Sequence, residues 1–401
     1  MSRPHNRVLV ILENCSYQRD ARLSKVAQAL KNGGYIVSVI SPEPGNWPSR
    51  FVVDGVTVYG FPHRHISHGT SGYLLEYGYA TLVIAVITAY LWLTSGFDII
   101  HIANPPDCIV PVLAIYKVIG KRIIYDQHDL SPELYSVRFS RPYGFLLKIQ
   151  LWLESVSYRL ADRVIVTNES SRQIALGRGR QAEEKVTIVR NGPDLELLQV
   201  LRVDQDLRKR SKNILAFAGI AGYQDGLDYL CRALKSLHSD FGREDFLCVV
   251  VGDGDALPYI RKLAAELGIA EHIWFAGWVN EPATYFGYLA TADICVAPEP
   301  SNPYNDKSTF VKIMEYMLAG RPIVAFDLPE SRFSADGAAL YASPNQHREF
   351  AAKIAELMDS EALRKAMGEF GRRRIESRLA WQHSIPNLLK VYDFVTTPPD
   401  R

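Results

Sequence analysis

The chain has 401 residues, 47% hydrophobic and 22% charged, a globular composition long enough for two ordinary domains and unlike that of a disordered or fibrous protein. Lys and Arg number 45 against 44 Asp and Glu, a net charge of +1, so the basic footprint of a nucleic-acid-binding protein is missing; Arg372 to Arg374 read as a solvated helix face. Cys15, Cys108, Cys231, Cys248 and Cys295 are scattered and contain no C-x-x-C pair, which argues against a disulfide framework or a thiolate zinc site and fits a reducing cytoplasm.

The opening "MSRPHNRVLVILEN" runs straight into a strand (7–13), without the long apolar core of a signal peptide. A helix is expected over 21–31, stopped by Gly33 and Gly34, with Asp20 as its N-cap and Arg19 and Arg22 in the loop and first turn. Strands follow at 35–40 and 56–61. His63, His65 and His68 have spacing that could hold a metal, but no cysteine or carboxylate joins them before Glu76, so an exposed loop is expected. Residues 79–96 are nearly uncharged and long enough to span a bilayer. Because a strand (98–102) follows at once, a buried helix between two strands is the expected form. Further strands are expected at 122–126, 163–167 and 186–189. Between them, 141–160 mixes basic residues with Phe145, Leu146, Leu147, Leu151, Trp152 and Leu153, which suits either a membrane surface or a core-packed helix.

Around 191–212 the texture turns charged and strandless, then alternation resumes with strands at 213–219, 246–252, 273–277, 293–298, 322–326 and 338–342 and helices from 344 to 395. This pattern predicts two Rossmann-like, doubly wound α/β domains with a cleft between them: 1–195, a linker over 196–212, 213–375, and a C-terminal helix over 376–401 returning to the first domain. Ligands of such sheets bind at the carboxyl ends of the strands.

The stretch "NDKSTFVKIMEYMLAGRPIV" (305–324) follows one such strand. Ser308, Lys312 and Glu315 are spaced i, i+4, i+7 and stack on one helical face. First-turn amides, the Ser308 and Thr309 hydroxyls and the Lys307 and Lys312 ammonium groups suit a diphosphate, and Glu315, acceptor-only, suits ribose hydroxyls. The alternative is an ordinary Lys–Glu pair on a solvated face. Two D-x-D triplets, Asp204/Asp206 and Asp253/Asp255, fall in the linker and in the turn "VVGDGD", whose glycines leave room for a close ligand backbone; no metal requirement is expected.

"KSTFVKIMEYMLAGRPIVAF" resembles the donor-binding signature of family-4 retaining glycosyltransferases with the GT-B fold, and "NPPD", "YDQHDLSPELY", "VRNGPD", "VVGDGD", "FAGWV" and "TADICVAPEP" resemble other pieces of that family in order. The resemblance implies that Glu315 is the second glutamate of the E-x7-E motif, on the ribose, while Lys307 stands where the first would be. The family's Arg and Lys after the first strand of the second domain are replaced by Gly222, Tyr223, Gln224 and Gly226, with Lys307 and Lys312 offering positive charge instead. Gly252, Asp253 and Val279 complete the implied donor side. His128 falls beside the reacting centre, Asp129 near it in a capping or catalytic role, and Arg19 and Arg22 approach donor phosphates or acceptor.

The implied activity is metal-independent, retaining transfer of a sugar from a nucleotide-diphosphate donor, UDP in preference to GDP, to a glycan or lipid-linked acceptor in surface polysaccharide or lipopolysaccharide synthesis. It implies no cofactor, no nucleic-acid partner and a cytoplasmic protein peripheral on the membrane. The alternatives are a nucleotide-sugar epimerase and a non-catalytic sugar-nucleotide- or glycan-binding subunit.

Overall fold

The computed structural model describes residues 6–43, 49–62, 70–138 and 143–396, and the side chains of 70, 71, 73 and 74 are outside that description. His63, His65 and His68 therefore lie outside the described residues. The chain divides into two compact units, Met1–Arg190 with Ile385–Arg401, and Asn191–Ser384.

The first unit carries β1 (Arg7–Ile11), α1 (Ala21–Asn32), β2 (Ile36–Glu43), β3 (Ser49–Val53), β4 (Val56–Pro62), α2 (Thr70–Thr94), β5 (Ile99–Asn104), α3 (Ala114–Val118), β6 (Arg122–Gln127), α4 (Ser131–Arg138), α5 (Phe145–Leu160), β7 (Arg163–Val166), α6 (Glu169–Leu176) and β8 (Val186–Ile188). The strands lie in the order β3-β4-β2-β1-β5-β6-β7-β8. All neighbours are parallel except β3 and β4, which form a hairpin turning through Asp54 and Gly55, both at positive φ. Central strands such as Ile99–Asn104 are buried throughout, as a sheet covered on both faces requires. Chain order reverses between β1 and β5, so the carboxyl ends of these two strands mark the crevice of this sheet.

Helix α2 corrects one expectation. It is a crossover that returns the chain from β4 to β5 of one parallel sheet, which is incompatible with its ends lying on opposite sides of a bilayer. Yet it is not a buried helix. Ala80, Ile84, Ile87, Thr88 and Leu91 pack inward, while Leu75, Leu82, Val86, Tyr90 and Leu93 are exposed. Helix α5 likewise buries Glu154, Ser157 and Tyr158 and exposes Phe145 and Trp152.

The second unit carries α7 (Gln205–Arg208), β9 (Asn213–Ala218), α8 (Leu227–Ser239), β10 (Phe246–Val251), α9 (Leu257–Glu266), β11 (Ile273–Gly277), α10 (Pro282–Thr291), β12 (Ile294–Ala297), α11 (Val311–Leu318), β13 (Ile323–Phe326), α12 (Pro329–Ala335), β14 (Ala339–Ala342), α13 (His347–Asp359) and α14 (Glu361–Arg374). Its six parallel strands lie in the order β11-β10-β9-β12-β13-β14, so chain order reverses between β9 and β12. Cys231, Cys248 and Cys295 are buried as free thiols, small apolar fillers of this core. The stretch 196–212 belongs to this unit: a 3-10 turn over Leu195–Val200 precedes α7, whose Leu207 is buried, and Asp204 caps α7 by accepting from Asp206 and Leu207. Helix α15 (Trp381–Thr396) begins in the second unit and, from residue 385, belongs to the first.

Candidate active site

The second unit gathers its polar groups at the strand-order reversal. β9 and β12 are paired only through Ile294–Leu215 and Cys295–Ala216. Beyond that point the buried Tyr316 hydroxyl accepts from the Ala218 amide (2.9 Å) and donates toward Val296 O (3.3 Å), taking the place of ladder bonds. Asn305, fully buried, donates to Gln224 O (2.9 Å) and Pro300 O (2.8 Å), tying the loops after β9 and β12 together. At Gly226 a Cβ would lie 2.0 Å from Pro298 O, so only glycine permits this approach.

The stripe of Ser308, Lys312 and Glu315 is not one face. Helix α11 begins at Val311, so Ser308 and Thr309 precede it, after a 3-10 turn over Asn305–Lys307. Ser308 Oγ donates to Tyr304 O (2.9 Å) and Lys307 Nζ to Pro303 O (2.8 Å). Lys312 turns inward: Nζ is 2.6 Å from Glu299 Oε1, 3.9 Å from Asp225 Oδ1 and 4.1 Å from the Phe217 ring centroid. That ammonium is already paired with two carboxylates, an arrangement that favours a structural role beside the expected one on a diphosphate. Glu315 is partly exposed and accepts from the Tyr285 hydroxyl at 2.7 Å, which orients one carboxylate oxygen. The Tyr285 phenol, half-buried beside that carboxylate, is held well above its usual range by desolvation and by the carboxylate, so it stays a donor.

The glycines of "VVGDGD" serve the protein's own backbone. A Cβ at Gly252 would lie 1.8 Å from Gly219 O, and at Gly254 2.6 Å from Ala221 O. The room expected for a ligand is filled by the 219–221 segment, held by Ala221 N to Asp253 O (3.0 Å) and Ala256 N to Ala221 O (2.9 Å). Gly222 N donates to Asp225 Oδ2 (3.0 Å), Asp253 Oδ1 accepts from Gly254 N (2.8 Å), and Val279, partly buried, follows β11 on the same edge of the sheet as these loops. Burial, partly opposed by Lys312 and reinforced by Glu299, raises the Asp225 carboxyl to about 6.

In the first unit, His128 follows β6, and its Nε2 is 2.9 Å from Asp126 Oδ2. Arg22 grips the same carboxylate with Nη2 (2.8 Å to Oδ1) and Nε (3.2 Å to Oδ2) and donates Nη1 to Val189 O (2.9 Å). Arg22 Nε also lies 3.0 Å from His128 Nε2. One nitrogen cannot both accept from arginine and donate to a carboxylate. The ionised carboxylate therefore accepts from a proton-bearing Nε2 of His128. Burial opposes ionisation of Asp126, but Arg22 and His128 outweigh it and hold the carboxyl well below its usual range. Arg22, only 4% exposed, is thus a clamp on Asp126, where the expectation placed it on phosphates or acceptor. Arg19 is exposed, and Asp20 caps α1 by accepting from Leu23 N (2.8 Å). The backbone of Asp129 is bound by Asn104, whose Oδ1 accepts from His128 N (2.7 Å) and Asp129 N (3.2 Å) and whose Nδ2 donates to Asp129 O (2.8 Å).

Sequence reasoning missed Glu299, Asp225, Tyr285, Asp126 and Glu13. Glu13 follows β1, and burial, with Glu76 adding repulsion, raises its carboxyl to about 8. Position was the available signal: most lie within a few residues of a strand's carboxyl end. Among the described residues, no group of three or more His, Cys, Asp or Glu side chains is placed to hold a metal ion.

Residues 20–192 match the Glycosyl transferase 4-like domain and residues 211–360 match Glycosyl transferases group 1. Chitobiosyldiphosphodolichol beta-mannosyltransferase of Candida albicans is 21% identical over 344 residues, 80% of this chain and 74% of its own. Other curated relatives match over as little as 44% of their own length. Sucrose-phosphate synthase of Thermosynechococcus elongatus shares the fold at a TM-score of 0.80 and 16% identity, over 98% of this chain and 99% of its own. HepE of Anabaena, solved with UDP and glucose, does so at 0.72 and 16%, over 97% and 100%. Two parallel-sheet α/β units, each matching a glycosyltransferase domain, define a glycosyltransferase of the GT-B class. The chain belongs to the family-4 glycosyltransferases, as the motif around Glu315 implies.

Proposed function

We propose that the second unit binds a UDP-sugar and the first unit binds a glycan or lipid-linked acceptor, with transfer proceeding by retention and without a metal. The observation that carries this reading is Glu315, a partly exposed carboxylate at the reversal point of the second sheet, oriented by Tyr285. It suits ribose hydroxyls, while the amides of Tyr223 and Gln224 and of the residues entering α11 suit a diphosphate, with Thr309 beside them and Ser308 and Lys307 able to reach it by exchanging their bonds to Tyr304 O and Pro303 O. Lys312 acts from beneath, fixing Glu299 and Asp225.

HepE, solved with UDP and glucose, supports a uridine donor. The Candida albicans relative, named for a diphosphodolichol-linked sugar, supports a lipid-linked acceptor. In the first unit, Asp126 is bound by Arg22 and His128, Asp107 by Tyr125 and Ser131, and Glu133 by Arg178. Carboxylates so engaged are poor general bases, which supports a mechanism in which the donor's own phosphate takes the acceptor proton. The bond from the anomeric carbon to UDP breaks, the acceptor oxygen bonds to that carbon on the same face, and the proton leaves with UDP. His128 then acts through Nδ1 as a hydrogen-bonding and orienting group. The exposed apolar residues of α2 and α5 support a cytoplasmic protein resting on a membrane, and a relative named for teichuronic acid biosynthesis supports a place in surface polysaccharide assembly.

Proton NMR of the sugar released from UDP-glucose, UDP-galactose or UDP-N-acetylglucosamine, in EDTA, tests this. The expected result is first release of the α-anomer by the wild type and none by Glu315→Ala. A β-anomer first, or activity abolished by EDTA, contradicts it.

A further inference from the structure

The first unit contains an open-sided cavity of about 610 Å³ bounded by α2, the segment 105–112, α4 and α5. Its wall is mostly apolar, with Leu82, Ala85, Val112, Leu146, Ile149 and Leu153 among its residues. Among the described residues, two charged side chains line it, Asp107 and Arg138. Asp107 is buried and already accepts from Tyr125 (2.5 Å), Ser131 (3.0 Å) and Ser157 (3.3 Å), so it asks for no polar ligand. Arg138 is exposed at the end of α4.

We propose that this cavity receives the hydrocarbon chain of a lipid-phosphate acceptor, with Arg138 on the phosphate; this deepens, and rests on, the glycosyltransferase reading above. Three observations choose that occupant. A mostly apolar wall, whose Asp107 and Ser131 are already hydrogen-bonded within the protein, gains from hydrocarbon and offers little to a sugar. Leu82 and Val112, which line the cavity, are also exposed (66% and 40%), so its wall is continuous with the outer faces of α2 (Val86, Tyr90, Leu93) and of the 112–119 segment (Ile115, Val118). A chain can pass from a bilayer into the cavity without crossing water. The cavity also adjoins the reaction edge: Pro105, Asp107 and Ser131 line it, and Asn104 beside them fixes the backbone of His128 and Asp129. A bulk phospholipid has no need of that adjacency, whereas an acceptor does.

Gly78 supplies a sharp test. It lines the cavity at its exposed side, and a Cβ there would meet nothing beyond its own helix backbone and chain neighbours within 4 Å, so Gly78→Leu has open space to narrow the cavity mouth and favours the helix. The full-length protein is titrated with geranylgeranyl phosphate below its critical micelle concentration, with geranylgeraniol, and with vesicles of dioleoylphosphatidylglycerol. UDP binding and Tm are read in parallel. The wild type is expected to bind the prenyl phosphate, Gly78→Leu to bind it at least tenfold more weakly with Tm not lowered and UDP binding unchanged, and Arg138→Gln to lose affinity for the phosphate but not for the alcohol. Equal binding by wild type, Gly78→Leu and Ala85→Trp overturns the proposal, as does binding to vesicles alone. A wild type that binds UDP but no prenyl phosphate defeats the cavity assignment and leaves the donor reading standing. Prenyl phosphate binding without nucleotide binding supports the cavity assignment and defeats the donor reading.

Discussion

Lys312 Nζ sits 2.6 Å from Glu299 Oε1 in the interior of the second unit, joining helix α11 to the end of β12 across the point where strand order reverses. Asp225, from the loop after β9, is the third member at 3.9 Å. One cation between the buried Glu299 and the half-buried Asp225 makes the cluster sensitive to loss of the lysine. Lys312→Met should cost about 3–5 kcal/mol, as removal of one partner of a buried pair does, and Lys312→Met with Glu299→Leu should recover part of it. Urea unfolding of the single and double variants measures this.

The cluster also sets a pH dependence. Asp225 titrates at about 6 in the folded protein, above an unfolded carboxylate near 4, so the folded state binds the extra proton between those values. Its stabilising contribution is therefore complete below about pH 4 and is lost as pH rises through about 6. Asp225→Asn should remove that slope, gaining on the wild type by on the order of 2 kcal/mol between pH 4 and pH 7. Tm against pH for both proteins checks it.

Gly252 and Gly268 both hold positive φ but in different surroundings. At Gly252 (φ 137°) a Cβ would strike Gly219 O, whereas at Gly268 (φ 68°) it would meet nothing within 4 Å. Gly268→Ala should cost about 1 kcal/mol from backbone strain alone. Gly252→Ala should cost several times more and abolish UDP binding, since the loop after β9 must move. Thermal unfolding and calorimetry on the pair separate strain from collision.

In the first unit the order of substitutions is informative. His128→Ala should lower kcat by about 100-fold or more with nucleotide affinity unchanged. Asp126→Asn should lower kcat and stability together, because it also strands the buried Arg22 guanidinium. Tyr392→Phe, which removes the 2.7 Å bond to His101 Nδ1, should cost about 1–2 kcal/mol of stability and little of kcat. Steady-state kinetics beside unfolding curves distinguish the three.

Most of this fold was legible because central parallel strands are unbroken apolar runs: "RVLVI", "FLCVVV" and "ICVA" stand out between helical patterns. Strand β3, "SRFVV", was missed, since a short edge strand with only one partner carries little signal. The exposed face of α2 was misjudged for a physical reason: near-uniform hydrophobicity around a helix does not say which side is covered. Glu315 was singled out by motif spacing. Its partner Tyr285, and the pairing of Lys312 with Glu299, depend on which side chains two separate loops bring together, and no local spacing encodes that. Arg22 shows the same limit, because its grip on Asp126 spans 104 residues of sequence.

The most direct measurement is calorimetric titration of UDP and GDP, in EDTA, into wild type, Glu315→Ala and Tyr285→Phe. The proposed uridine donor site predicts that wild type binds UDP in preference to GDP, that Glu315→Ala weakens UDP at least tenfold, and that Tyr285→Phe weakens it less. Equal UDP affinity in all three proteins, or no nucleotide binding by the wild type, would mean that Glu315 is not a ribose ligand and would contradict the donor site placed on helix α11.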